Sequence, residues 1–153
     1  MHVLIAAVLF AQAAGVPPQP SCYGTPSREH PGYTTQAGWA LPQIDDRELG
    51  VEYLCKGSEA LIVLQSVLSR TPDGMPVWKV LAERRFKLAK GDGALTVAKC
   101  DVKGKEDPEV VPIGHYSDEG AAVITRAFRA NRAKATLEVI APPSIKCELE
   151  GDD

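Results

Sequence analysis

Two apolar runs joined by a short turn sequence dominate the middle of this chain of 153 residues. Residues 60–70 carry Leu, Ile and Val at both odd and even positions, which is typical of a β-strand covered on both faces. Residues 77–86 alternate more cleanly between apolar and charged side chains, which is typical of a strand with one solvated face. The residues between the runs are Thr71-Pro72-Asp73-Gly74-Met75, and Pro, Asp and Gly suit successive positions of a tight turn. The pattern predicts a β-hairpin around which the rest of the chain is organised.

The start of the chain predicts export. Residues 3–10 are all apolar, and Ala11-Gln12-Ala13 follows with the small-x-small pattern at which signal peptidase cuts. We interpret residues 1–13 as a signal peptide, although neither Lys nor Arg precedes the apolar run. No later stretch reaches the roughly 18 consecutive apolar residues of a membrane-spanning helix. We therefore expect no membrane span after signal removal, and a periplasmic or secreted location.

The cysteines agree with export. There are four, at positions 22, 55, 100 and 147, and their wide spacing contains no C-x-x-C pair that would hold a metal or run dithiol chemistry. We expect two structural disulfides. Of the possible connectivities we favour Cys22–Cys55 with Cys100–Cys147, because each bond would tie a terminal segment onto the central strands.

The rest of the chain divides into a leader and one domain. Residues 14–48 are rich in Pro and Gly, which break any periodic pattern, so we interpret them as an irregular leader. Residues 49–151 are enough for a single domain with its own core. Further strands are predicted at residues 49–55, 94–102, 109–116 and 135–141.

Residues 117–132 are the one segment that predicts a helix. Ser117 is a good N-cap, and acidic residues follow it in the first turn, where negative charge is favoured. The apolar residues Val123, Ile124, Ala127 and Phe128 would form one stripe along such a helix. We therefore expect an α+β fold, a mostly antiparallel sheet of five or six strands with one helix packed on a face.

Basic residues crowd the end of the predicted helix. They are Arg126, Arg129 and Arg132, and the first two, three residues apart, would share a helical face. Two interpretations stay open. The arginines complement the helix macrodipole, or they bind an acidic partner.

His115 and Tyr116 form the most interesting titratable pair. They end the predicted strand at residues 109–116 and precede the predicted helix N-terminus, a position that binds anions. One interpretation is a pair of partly buried side chains. The other is a hydrolytic site built from His115 and nearby acidic residues.

Several functional classes are disfavoured by the sequence. A net charge of −3 provides no field that would concentrate nucleic acid at the surface. There is no G-x-S-x-G elbow, and Gly91-Asp92-Gly93 lacks the remainder of a phosphate-binding or dinucleotide-binding motif. We expect no nucleic-acid binding, no cofactor, no metal site and no catalytic residue that the sequence alone identifies.

Three blocks near the C-terminus carry a family resemblance: Phe128-Arg129-Ala130-Asn131-Arg132, then Leu137-Glu138-Val139-Ile140, then Lys146-Cys147-Glu148-Leu149-Glu150-Gly151. Over residues 60–151 the chain resembles a group of small exported proteobacterial proteins of unknown function. In that group Trp takes the place of Phe128 and Gly the place of Ala135. The resemblance implies export and a shared fold, and it implies no activity.

These observations favour an exported binding or accessory protein that recognises a protein or another envelope component. One alternative is a small hydrolase with its site near His115. The other is a structural protein that docks an acidic partner through Arg126 and Arg129.

Overall fold

The structure of the protein is a computed structural model that describes residues 22–149, apart from the side chain of Ala98. The predicted signal peptide, residues 1–13, lies outside the described residues.

Three antiparallel sheets make up the described part of the chain. Sheet A has five strands in the order β1-β2-β3-β4-β5, sheet B has four in the order β11-β10-β9-β6, and sheet C has three in the order β12-β7-β8. The strands are β1 (Thr25–Pro26), β2 (Thr34–Ala40), β3 (Leu49–Lys56), β4 (Glu59–Arg70), β5 (Pro76–Lys87), β6 (Gly93–Ala94), β7 (Val97–Val102), β8 (Lys105–Glu106), β9 (Val110–Tyr116), β10 (Ala122–Asn131), β11 (Thr136–Ile140) and β12 (Ile145–Leu149). A single 3₁₀ turn, Pro142–Ser144, precedes β12.

The sheets stack in three layers because sheet B is apolar on both faces. Side chains of sheets A and B share the main core, among them Tyr53, Ile62 and Phe128. The other face of sheet B packs on sheet C through a second cluster that includes Ala127 and Ile145. Strand alternation sends Ala127 and Phe128 to opposite faces of β10, so one strand contributes to both cores.

The predicted hairpin is confirmed. Strands β4 and β5 pair antiparallel, and Gly74 in the turn between them has φ +85°, a conformation that favours glycine. The first half of β4 is covered on both faces, as expected. Its far end is not, because β3 begins opposite Ser66, and Leu68 beyond that point is 67% exposed.

The predicted helix at residues 117–132 is wrong, and with it the α+β fold class. Ser117 caps a turn rather than a helix, since its Oγ accepts a hydrogen bond from the backbone N–H of Ala121 at 3.1 Å. The chain then forms β10, which pairs with β9 on one side and β11 on the other. The fold is nearly all β, and no helix packs on a face of the described sheets. The physical reason is that β-branched residues such as Val123 and Ile124 fit a strand as well as a helix, and two neighbouring strands satisfy the backbone.

The leader is more regular than the Pro and Gly content predicts. Residues Thr34–Ala40 form β2, which pairs along β3, and Thr25–Pro26 add the short edge strand β1.

The other predicted strands are present, one of them in two pieces. Those at residues 49–55, 109–116 and 135–141 are confirmed as β3, β9 and β11. The strand predicted at residues 94–102 is divided between β6 in sheet B and β7 in sheet C.

The favoured disulfide connectivity is confirmed. Cys22 is bonded to Cys55, and Cys100 to Cys147. Two disulfides indicate an oxidising, extracytoplasmic environment. Within residues 22–149, no helix has the length and apolar character needed to cross a membrane.

Candidate functional site

His115 lies at the end of β9 and pairs with a buried carboxylate. Its Nδ1 is 2.8 Å from Oδ1 of Asp92, which precedes β6 and whose side chain is only 5% exposed. The hydroxyl of Thr125 donates to Oδ2 of the same carboxylate at 2.6 Å. A carboxylate only accepts, so Nδ1 of His115 is the donor of this hydrogen bond, and Nε2 lies on the opposite side of the ring.

The buried phenol of Tyr53 interacts electrostatically with Asp92. Burial, and after it the negative charge of Asp92, raise the pKa of Tyr53 to about 12. Its hydroxyl is buried and has no hydrogen-bond partner among the described residues. The neighbourhood of Asp92 is therefore a low-dielectric one. In the described part of the chain, Asp92 is the only side chain that hydrogen-bonds to His115. The cluster contains a histidine and its orienting carboxylate, and among the described residues no hydroxyl or thiol side chain hydrogen-bonds to His115.

Tyr116 does not share a site with His115. Consecutive residues of a strand point to opposite faces. The hydroxyl of Tyr116 accepts the backbone N–H of Thr96 at 3.2 Å, so the phenol holds the segment between β6 and β7. The two residues predicted to act together are separated by the alternation of β9.

The arginines are also separated. Arg126 lies over the ring of Phe86, 4.9 Å from its centroid. Arg129 donates from Nε to Oδ2 of Asp107 at 2.6 Å. The spacing of three that would place both on one helical face places them on opposite faces of a strand.

Arg132 also forms its contacts within the fold. Its guanidinium pairs with Glu109 and donates to the backbone oxygen of Pro42, and the Arg132 side chain is only 9% exposed. The three arginines therefore have partners within the chain and form no common patch for an acidic partner.

A groove on the outer face of sheet A is the feature with the character of a binding site. Its volume is about 650 Å³, within the range of roughly 300–1,000 Å³ typical of small-molecule sites. It lies on the face opposite the main core, because its lining residues Glu52 and Gln65 alternate with the core residues Val51 and Leu64.

The leader covers only half of that outer face. Tyr33 packs on Leu54, Leu61 and Val63 and closes a small core at one end of the sheet. The uncovered half is the groove. Its wall on the β1 side is formed by residues 25–29 of the leader.

The leader wall is held in place at several points. The Cys22–Cys55 disulfide fastens its start to β3. Nε2 of His30 lies 2.9 Å from Oε1 of Glu83 on β5. The hydroxyl of Tyr33 hydrogen-bonds to Glu59, and this bond is the main reason why the pKa of the phenol is raised. The groove is therefore preformed by contacts within the chain.

The floor of the groove is made of small residues. Gly38 lies opposite Glu52, and Ala40 lies opposite Gly50. A Cβ at Gly50 would lie 3.1 Å from Cη2 of Trp78, so the glycine lets the indole reach across β4 and rest on the sheet. Trp78 therefore forms the wall on the β5 side.

Polar groups project between these walls. The hydroxyl of Thr35 donates to Oε1 of Glu52 at 2.7 Å and orients that carboxylate. Gln65 is 7% exposed, and its Oε1 has no hydrogen-bond partner within residues 22–149. An unpaired buried amide oxygen costs about 1–3 kcal/mol, so Gln65 is the residue of this groove that stability does not explain.

Sequence reasoning missed the groove. Trp78 and Glu52 fall within the segments 77–86 and 49–55, which the sequence predicts only as strands. One signal was present. Gln65 interrupts an apolar run predicted to be covered on both faces, and an amide at such a position has to be paired with something.

The described residues contain no group of three or more His, Cys, Asp or Glu side chains that would hold a metal ion. Comparison of the chain with protein-family models, with curated proteins and with solved structures found no match.

Proposed function

We propose that this protein is a periplasmic or secreted binding protein and that its ligand site is the groove on the outer face of sheet A. The observation that carries the proposal is the buried, unpaired Oε1 of Gln65 beside the indole of Trp78. Small-molecule sites combine an apolar wall with a few fixed polar groups, and this groove has both.

The preformed walls support the same function. A groove whose sides are fastened by a disulfide and by hydrogen bonds loses little conformational entropy when a ligand binds. The two disulfides fit a protein that works outside the cytoplasm, where such bonds persist.

The role of Gln65 can be tested before any ligand is identified. Replacing Gln65 with Met keeps the side-chain length and removes the unpaired oxygen. We expect the variant to be more stable to unfolding by about 1–2 kcal/mol and to bind groove ligands more weakly. A residue kept only for folding would give the opposite change in stability.

Binding is then mapped with a fragment library by NMR. We expect hits to shift the signals of the Trp78 indole and the Gln65 amide. The competing site is a cleft of about 400 Å³ lined by residues that include Trp39 and Leu95. Hits confined to that cleft, together with a destabilised Gln65→Met variant, would refute the groove as the ligand site.

A hydrolytic activity at His115 is the second candidate, and its contact with Asp92 is the observation that favours it. A histidine oriented by a buried carboxylate activates water in many hydrolases. The test is a panel of chromogenic esters and phosphate esters with the wild-type protein and the His115→Asn variant. Turnover that the variant retains in full would exclude this site.

A further inference from the structure

The chemistry of the groove also indicates its class of ligand. We propose that the groove binds a neutral carbohydrate, with a sugar ring stacked on Trp78 and its hydroxyl groups paired with Gln65 and Glu52. This inference rests on the proposed function of the groove.

The aromatic wall is the first argument. Trp78 is half-buried, and its six-membered ring packs against the sheet at Gly50, where there is no side chain. A rigid aromatic surface at the side of an open groove suits a flat ligand with an apolar face and a polar rim. A pyranose ring has axial C–H groups on its faces and hydroxyl groups around its edge.

The polar groups are the second argument. The carboxylate of Glu52 accepts one hydrogen bond from Thr35 and retains further acceptor capacity. The amide of Gln65 offers an acceptor, and it also carries donors. A sugar hydroxyl both donates and accepts, so it can pair with the Gln65 amide when that side chain turns from its buried position toward the groove.

Charge is the third argument, and it excludes anionic ligands as the main class. The charged side chains that line the groove are Arg28, Glu29 and Glu52, which leaves no excess of positive charge. A site for a phosphate or a sulfated ligand would need cationic donors that converge on the anion. A neutral polyol needs no cationic donors.

Binding is measured first on a printed array of neutral and acidic glycans. We expect neutral glycans to bind and acidic ones to bind no better than their neutral counterparts. The best soluble hit is then titrated by calorimetry. We expect Trp78→Ala and Gln65→Met each to weaken binding at least tenfold.

The two tryptophans of the chain make fluorescence a second readout. Trp39 borders the groove, but its pairing opposite Val51 places its side chain on the core face. In the Trp39→Phe variant, Trp78 is the only fluorescent indole. We expect this control to bind within about twofold of wild type and its emission to saturate as the glycan is added. This readout also serves if Trp78→Ala fails to fold.

The outcomes separate the two proposals. If no glycan on the array binds and NMR fragment hits still fall in the groove, the carbohydrate proposal is refuted and the groove remains the ligand site. If glycans bind, but Gln65→Met does not change the affinity and Trp78 emission does not respond, the sugar does not bind in the groove. Fragment hits confined to the cleft beside Leu95 overturn the groove itself.

Discussion

Cys147 lies directly opposite Cys100 in the antiparallel pair of β7 and β12, and the two residues are joined by a disulfide. The bond fastens the last strand of the described chain to sheet C. Sheet C in turn covers one face of sheet B through Ile145. One covalent link therefore holds the third layer of the fold in place.

Removal of this disulfide is expected to destabilise the protein without disturbing the groove. In the Cys100→Ser, Cys147→Ser double variant, the free energy of unfolding should fall by about 2–4 kcal/mol. Urea denaturation measures the change. The matched control is Cys22→Ser with Cys55→Ser, which should also loosen the leader wall and weaken binding in the groove. Loss of groove binding in the first variant alone would contradict this assignment.

Removal of the Tyr53 hydroxyl is expected to stabilise the protein. The hydroxyl is buried without a hydrogen-bond partner in the described part of the chain. Tyr53→Phe deletes it and keeps the ring, so the free energy of unfolding should rise by about 1 kcal/mol. A loss of stability in denaturant titrations would show that the hydroxyl is paired in solution.

Tyr53 also makes stability depend on pH at the alkaline end. Its pKa is about 12 in the folded protein and 10.0 for an isolated side chain. Between these values the unfolded chain loses the proton and the folded one keeps it. This group therefore lowers the free energy of unfolding with rising pH by up to about 1.4 kcal/mol per pH unit. The slope should be shallower by that amount in Tyr53→Phe, and equal slopes for the two proteins would refute the shift.

The turn between β10 and β11 contains a residue in an unfavourable backbone conformation. Ala135 has φ +51°, in the left-handed region where glycine is preferred. Ala135→Gly should raise the free energy of unfolding by about 1 kcal/mol. The exposed neighbour Ala133, for which no positive φ is found, is the control, and Ala133→Gly should give no gain. Equal effects of the two substitutions in thermal denaturation would contradict the backbone argument.

Arg132 is expected to matter for folding rather than for a partner. It pairs with Glu109, and both side chains are largely buried, at 9% and 15% exposure. Arg132→Met leaves the carboxylate buried and unpaired, so the free energy of unfolding should fall by about 3 kcal/mol. Lys134 is 71% exposed, and Lys134→Met should change stability by less than about 0.5 kcal/mol. A stable Arg132→Met protein would reopen the possibility of an external acidic partner.

Features formed by residues close together in the chain could be predicted from the sequence, and features formed by distant residues could not. The β4–β5 hairpin was predictable because its strands are adjacent and Gly74 supplies the turn conformation. The observed disulfide pairing could be favoured, though not deduced, from the sequence, because four cysteines allow only three connectivities. The groove was not, because Gly50 on β3, Gln65 on β4 and Trp78 on β5 become neighbours only when the sheet forms.

The error at residues 117–132 has a specific cause. Val123, Ile124, Ala127 and Phe128 match a helical stripe. In β10, Phe128 joins the main core, Ile124 and Ala127 join the second cluster, and Val123 is exposed. Local pattern cannot choose between these outcomes. The choice depends on whether strands β9 and β11 are present to pair with the segment.

The sequence by itself determined the central hairpin, and it favoured one pairing of the cysteines and predicted a route out of the cytoplasm. These features depend on neighbouring residues or on a handful of possible bonds. Only the tertiary structure decided that β10 is a strand, that His115 faces Asp92 while Tyr116 faces Thr96, and that Gln65 and Trp78 share a groove. Each of these facts depends on pairing between segments far apart in the chain, whose free energy no single segment contains.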